Sequence, residues 1–138
     1  MAGETNLTNL LASMRPELMP GIFVFATVPA GAFLPAELEQ PVMRLVEAEG
    51  VTLILAEEAA RRAGLNGSFR CRMITLQVFS SLEAVGFMAA ITTRLAAAGI
   101  GVNPVSGFHH DHLFVPTDRA DQAMILLEEL ATAGATSR

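Results

Sequence analysis

Charge is what this chain has least of. Charged residues make up 17% of its 138 positions, 9 basic against 14 acidic, for a formal net charge of −5. Globular chains carry roughly a quarter, so part of the apolar surface is expected to need a partner, and a homodimer is the simplest expectation. The basic residues are too few and too scattered for a nucleic-acid footprint. Cysteine is equally scarce. Cys71 stands alone, which excludes an internal disulfide framework and a multi-cysteine zinc site and is compatible with a reducing cytosol. Long apolar runs are missing too: Pro20, Gly21, Pro29, Gly31 and Pro35 interrupt the hydrophobic stretches well before the ~20 residues a membrane-spanning helix requires. The N-terminal residues are polar and carry no secretory address. A soluble, cytoplasmic protein away from membranes is expected.

What is present is apolar: 51% hydrophobic residues and a mean hydropathy of +0.44, too much for disorder. The length allows one domain or two very small ones. Thr5 or Asn6 can cap a short helix carrying Leu7, Leu10, Leu11 and Met14, which Pro16 closes. Residues 21–28 (GIFVFATV) predict a buried strand. Residues 29–41, with Pro29, Gly31, Pro35 and Pro41, predict a loop. Strands are expected over 42–47 and 51–55, then a helix over 56–63 ended by Gly64. The run 69–79 (FRCRMITLQVF) alternates as a long strand. Ser80 and Ser81 offer caps to a helix over 83–98, ended by Gly99. Strands over 100–105 and 112–115 follow, then a helix over 122–131 capped by Asp118, and a frayed tail from Thr132.

Two internal matches suggest a repeat. LMPGIFVFATV (18–28) aligns with AAAGIGVNPVS (96–106), each starting a strand at a Gly-Ile pair. EGVTLILAEEAARRA (49–63) aligns with HDHLFVPTDRADQAM (110–124), each running from a strand into a helix. The chain then divides into an incomplete module over 1–67 and a second over 68–138. The expected class is α+β: ferredoxin-like sandwiches in tandem, with antiparallel sheets and helices on one face. On this reading each sheet is short of one strand, and the open edges again point to a dimer.

The segment 72–130 resembles an ACT domain, specifically small bacterial ACT proteins related to the regulatory modules of arginine sensors of the CASTOR type. The resemblance rests on SSLEAVG (80–86), GIGVNPVSGFHHDHLFVP (99–116), MPGIFVFATVP (19–29) and EAEGVTLIL (47–55), and covers nearly the whole chain. It implies tandem ACT modules, ligand sites at module or subunit interfaces, and non-catalytic sensing of an amino acid or similar small molecule, with no cofactor.

The same residues have a chemistry of their own. In SSLEAVG a strand gives way to a helix, whose first free N–H groups and dipole favour a carboxylate. Ser80 and Ser81 add hydroxyls, and Gly86 permits close approach. Equally, the serines simply cap the helix and Gly86 eases packing. Asn103, polar among apolar strand neighbours, could bind a ligand amide or carboxylate, or tie to the backbone beside Pro104. Asp111 is the natural acceptor for an α-ammonium group, or a plain strand-edge charge. The candidate ligand residues are therefore Ser80, Ser81, Leu82, Glu83, Val85, Gly86, Asn103 and Asp111. His109, His110 and His112 invite a metal reading, but three histidines and an aspartate within four residues cannot converge on one ion, and no metal is expected. Catalysis by Cys71 or by the histidine cluster is the rival reading, and a ligand-free structural dimer a third. Cys71 lies between Arg70 and Arg72 with no base placed nearby. No P-loop, dinucleotide fingerprint or nucleophile elbow occurs.

Overall fold

The computed structural model of the protein describes residues 3–32 and 40–136. Two compact units divide it: Gly21–Cys71, and Met1–Pro20 together with Arg72–Arg138. The elements in chain order are α1 (Leu7–Ser13), β1 (Pro16–Leu18), β2 (Phe23–Val28), β3 (Met43–Glu47), β4 (Gly50–Ala56), α2 (Glu57–Arg62), β5 (Ser68–Leu76), α3 (Phe87–Ala97), β6 (Asn103–Ser106), β7 (Asp111–Pro116), a 3-10 turn (Thr117–Arg119) and α4 (Ala120–Thr136).

In the unit Gly21–Cys71 the strands lie in the order β3-β4-β2-β5. All of its pairings are antiparallel. Alternation sends Val24, Ala26, Val28, Val51, Leu53 and Leu55 to one face, where Ala59 and Ala60 of α2 cover them. Glu57 and Glu58 open α2 and Arg61 and Arg62 close it, each sign matching the helix dipole. The loop expected over 29–41 falls largely on 33–39, outside the described residues.

The second unit uses the same strand order from a discontinuous stretch of chain. The later residues of β5 are flanked by β1 on one side and β7 on the other, with β6 outside β7. β1 pairs antiparallel through Pro16↔Leu76, Glu17↔Thr75 and Leu18↔Ile74. Ile74, Leu76, Leu113 and Val115 meet Leu10 and Met14 from the N-terminal segment, Phe87, Ile91 and Leu95 of α3, and Ala123 and Leu127 of α4. Helices cover one face of each sheet. Asn6 caps α1 by accepting from the Asn9 N–H at 2.9 Å. Arg119 donates to the Ala98 carbonyl at 2.9 Å, satisfying an orphan acceptor beyond the end of α3.

Four expectations need correction. Neither sheet lacks a strand: β5 supplies its first residues to one unit and its later ones to the other, and β1 fills the remaining place. A three-residue strand starting at proline shows no alternation to read. The match of 18–28 with 96–106 equates β2, the first strand of its sheet, with β6, the second of its own. What the two Gly-Ile pairs share is local, a left-handed glycine at φ +95° for Gly21 and +74° for Gly99. The match of 49–63 with 110–124 does equate like with like, β4–α2 with β7–α4. Finally, the serines do not cap α3, whose N-cap is Gly86 at φ +95°, and the last helix starts at Ala120 and runs to Thr136 instead of fraying from Thr132.

That last turn is held by Gly134, buried where α4 meets α1. A Cβ there would lie 2.9 Å from Leu11 Cβ and 3.0 Å from the Ala12 nitrogen. Gly134→Ala would gain about 1 kcal/mol of helix propensity but incur an overpacking cost of about 1–3 kcal/mol. The expected result is a net loss near 1 kcal/mol, read as a lower urea midpoint at unchanged slope. A raised midpoint would show that α1 yields freely.

Candidate ligand site

The antiparallel hairpin of β6 and β7 places Ser106 directly opposite Asp111, so both side chains project from the same face. Leu113 and Val115 share Asp111's parity and lie in the core, which puts the carboxylate on the helix-covered side of the sheet. Asp111 is only 7% exposed. The Ser106 hydroxyl donates to Asp111 Oδ1 at 2.6 Å and the Ser80 hydroxyl to Oδ2 at 2.8 Å. The turn that carries Ser80 is itself fastened by the N-terminal segment: Glu4 N–H donates to the Phe79 carbonyl, and Ser81 N–H to the Glu4 carbonyl, both at 2.8 Å.

A cavity of about 100 Å³ opens here, lined by Ser80, Ser81, Leu82, Ala84, Phe87, Met88, Ser106 and Asp111. It has room for roughly three waters or the head group of an amino acid. Its two ends differ in chemistry. At one end Ser80 and the exposed Ser106 commit their hydroxyl protons to the carboxylate, which leaves the lone pairs of these oxygens as acceptors. At the other, Phe87 and Met88 begin α3, whose N-cap has no side-chain hydrogen bond, leaving first-turn N–H groups as donors. Among the described residues no cation pairs with the buried carboxylate. The chain has no lysine at all, and among the described residues no arginine forms an ion pair with Asp111.

Of the residues expected at the site, Ser80, Ser81, Leu82 and Asp111 line the cavity. Ser81 Oγ accepts from Glu83 N–H at 3.1 Å, so it shapes the turn. Glu83 and Val85 are exposed, Val85 at 86%. Gly86 sits close to Leu7 and starts the helix without lining the cavity. Asn103 is exposed on β6, opposite Phe114, and is not brought to the cavity. Sequence reasoning missed Ser106, Ala84, Phe87 and Met88. Ser106 was within reach: closing the hairpin over the turn 107–110 sets it against Asp111. The other three depended on where α3 begins.

The histidines do not converge. His112 takes the opposite face from Asp111, with its Nδ1 3.0 Å from the hydroxyl of the buried Thr75. His109 packs beside Phe79 and Phe108. Among the described residues no three His, Cys, Asp or Glu form a metal-binding group.

Models of the ACT domain match residues 2–72 and 68–129. The chain belongs to the ACT-domain family. Its two ACT modules resemble a Vibrio cholerae protein of unknown function, described as a possible transport protein, at 46% identity, 91% of this chain, 95% of that one and a TM-score of 0.81. An Agrobacterium tumefaciens protein follows at 16% identity, 86% and 89% coverage and a TM-score of 0.71. The ligand-free regulatory subunit of aspartate kinase from Thermus thermophilus shares the ACT fold at 8% identity, 87% and 97% coverage and a TM-score of 0.64. No curated protein matches in sequence. No described helix of this ACT protein is long and apolar enough to cross a membrane.

Cys71 tests the rival chemistry. It is fully buried, its Sγ donates to the Phe23 carbonyl at 3.4 Å, and burial pushes the thiol up to about 11 from 9.0. A nucleophile needs the opposite shift. Iodoacetamide at pH 8 should therefore label the native protein only at the rate of unfolding, whereas labelling as fast as a free thiol would restore Cys71 as a catalytic candidate.

Proposed function

We propose that this ACT-domain protein is a non-catalytic cytoplasmic sensor that binds a small α-amino acid in the Asp111 cavity, without cofactor, metal or nucleic acid. One observation carries the reading: a buried carboxylate with hydroxyl partners and the first residues of a helix without a side-chain cap line the same small cavity. A zwitterion fits both ends. Its ammonium group meets Asp111, Ser80 and Ser106, and its carboxylate meets the first turn of α3. Ser81 and Leu82 form the wall, while Glu83, Val85 and Gly86 shape the turn. Asn103 keeps a place only where a second subunit brings it to a ligand.

The sequence modules are taken as 1–67 and 68–138. Exposed apolar side chains support a homodimer: Leu82 and Val85 beside the cavity, and Val46 at 72% exposure on the edge strand β3. Occupancy would then be passed on as a shift at that interface.

The test is thermal unfolding with each of the twenty amino acids at millimolar concentration. At least one should stabilise, by about 2.7 kcal/mol at a hundredfold excess over its Kd. Asp111→Asn should remove the response and Asn103→Ala in the free protomer should leave it. A flat profile with all twenty would sink the reading.

A further inference from the structure

Residues 3–7 touch both elements that wall the Asp111 cavity. At the serine end Glu4 forms an isolated parallel bridge beside Ser80, made of two backbone hydrogen bonds: Glu4 N–H to the Phe79 carbonyl and Ser81 N–H to the Glu4 carbonyl, both 2.8 Å. Gly3 packs so tightly that a Cβ would fall 2.7 Å from the Ser80 carbonyl carbon. At the helix end Leu7 lies 3.5 Å from the place of the missing Cβ of Gly86. Gly86 is the N-cap from which Phe87 and Met88 enter the cavity lining. A bridge of two bonds outside any strand opens at a small fraction of the cost of unfolding the sheet. Once it opens, the turn loses both tethers, and nothing backs Ser80 where its hydroxyl donates to Asp111 Oδ2 at 2.8 Å.

We infer that residues 3–7 are a strap over the ligand cavity: docked, they hold Ser80 on Asp111 and the start of α3 at the cavity, and undocked they release both. Strap docking and cavity geometry then form one coupled equilibrium, and coupling is reciprocal. A ligand bound to the docked form tightens the strap, and a partner that draws residues 3–7 away weakens the ligand by the same factor. Only this ligand half rests on the proposed amino-acid function. The carboxylate of Glu4 extends the coupling to α1, because it accepts from the Thr5 and Asn6 N–H groups at 2.9 and 3.2 Å and Asn6 is that helix's N-cap.

Hydrogen exchange of the full chain, followed amide by amide, tests the coupling without any ligand. Ser80→Ala cuts the tie to Asp111 and leaves both backbone bonds chemically possible. Exchange at the Glu4 and Ser81 amides should then rise about tenfold while the Leu113 and Val115 amides of β7 keep their rates. Gly3→Val acts from the other side: the carbon-13 shift of the Asp111 carboxyl should move toward that of a solvated carboxylate. Unchanged exchange at Glu4 and Ser81 in Ser80→Ala, a rise that β7 shares in full, or an unmoved Asp111 carboxyl in Gly3→Val would overturn the strap. The twenty amino acids, added singly at millimolar concentration, separate the two ideas. Those that bind should slow Glu4 exchange in the wild type and bind Gly3→Val about tenfold more weakly. Equal affinity for both proteins removes the strap alone. No binding by any of them, with the exchange rates and carboxyl shift as expected, removes the amino-acid reading alone.

Discussion

The buried carboxylate of Asp111 is the constraint around which the second unit is arranged. Taking a carboxylate out of water costs several kcal/mol even after relaxation, and hydrogen bonds to a charged group return about 1.5–3 kcal/mol each. Two hydroxyls, one per oxygen, meet that cost in part, and their origins define the local structure. Ser106 fixes the register of the β6–β7 hairpin. Ser80 fixes the turn after β5.

The N-terminal segment closes the arrangement from outside. Gly3 passes so close to the turn that a Cβ would lie 2.6 Å from the Phe79 carbonyl oxygen and 2.7 Å from the Ser81 nitrogen, a gap only glycine tolerates. Glu4 then bridges the turn through its backbone, while its carboxylate accepts from the N–H groups of Thr5 and Asn6 ahead of α1. Twelve residues further on, β1 takes the place beside β5 that the C-terminal stretch leaves open. The turn that carries Ser80 therefore depends on residues more than seventy positions earlier in the chain, and the second unit is discontinuous although the ACT matches are sequential.

How far the sequence could be read follows from the range of each determinant. Elements built on local signals were legible: the Asn6 cap, the long alternation through β5, the helix stop at Gly99. So was the tandem ACT architecture, and Ser80 and Asp111, singled out by residue type, do come together in one hydrogen bond. Long-range pairings were not. β1 has three residues and no alternation, and exists as a strand because Ile74 and Leu76 offer it an edge. The start of α3 was misplaced because Ser80 and Ser81 resemble caps, yet the fold spends Ser80 on Asp111 and Ser81 on Glu83. Asn103 drew attention as a polar residue among apolar neighbours, but the short edge strand β6 leaves it in water, where it needs no partner.

The histidines next to Asp111 sharpen the same point about charge. His110 and His112 flank Asp111 in sequence, and strand alternation turns His112 to the opposite face of the sheet. Burial, then the neighbouring His110, push its proton affinity below the usual histidine value, and the opposing pull of Asp111 is the weakest of the three influences. A base whose folded value is lowered is held neutral near pH 7, and its contribution to stability is lost only as pH falls through the ordinary histidine range. It spends its Nδ1 on Thr75. A neutral ring on the far side of a sheet cannot serve as counter-ion to a carboxylate. With no lysine in the chain and no arginine paired to Asp111 among the described residues, the carboxylate relies on the hydroxyls of Ser80 and Ser106, one on each oxygen.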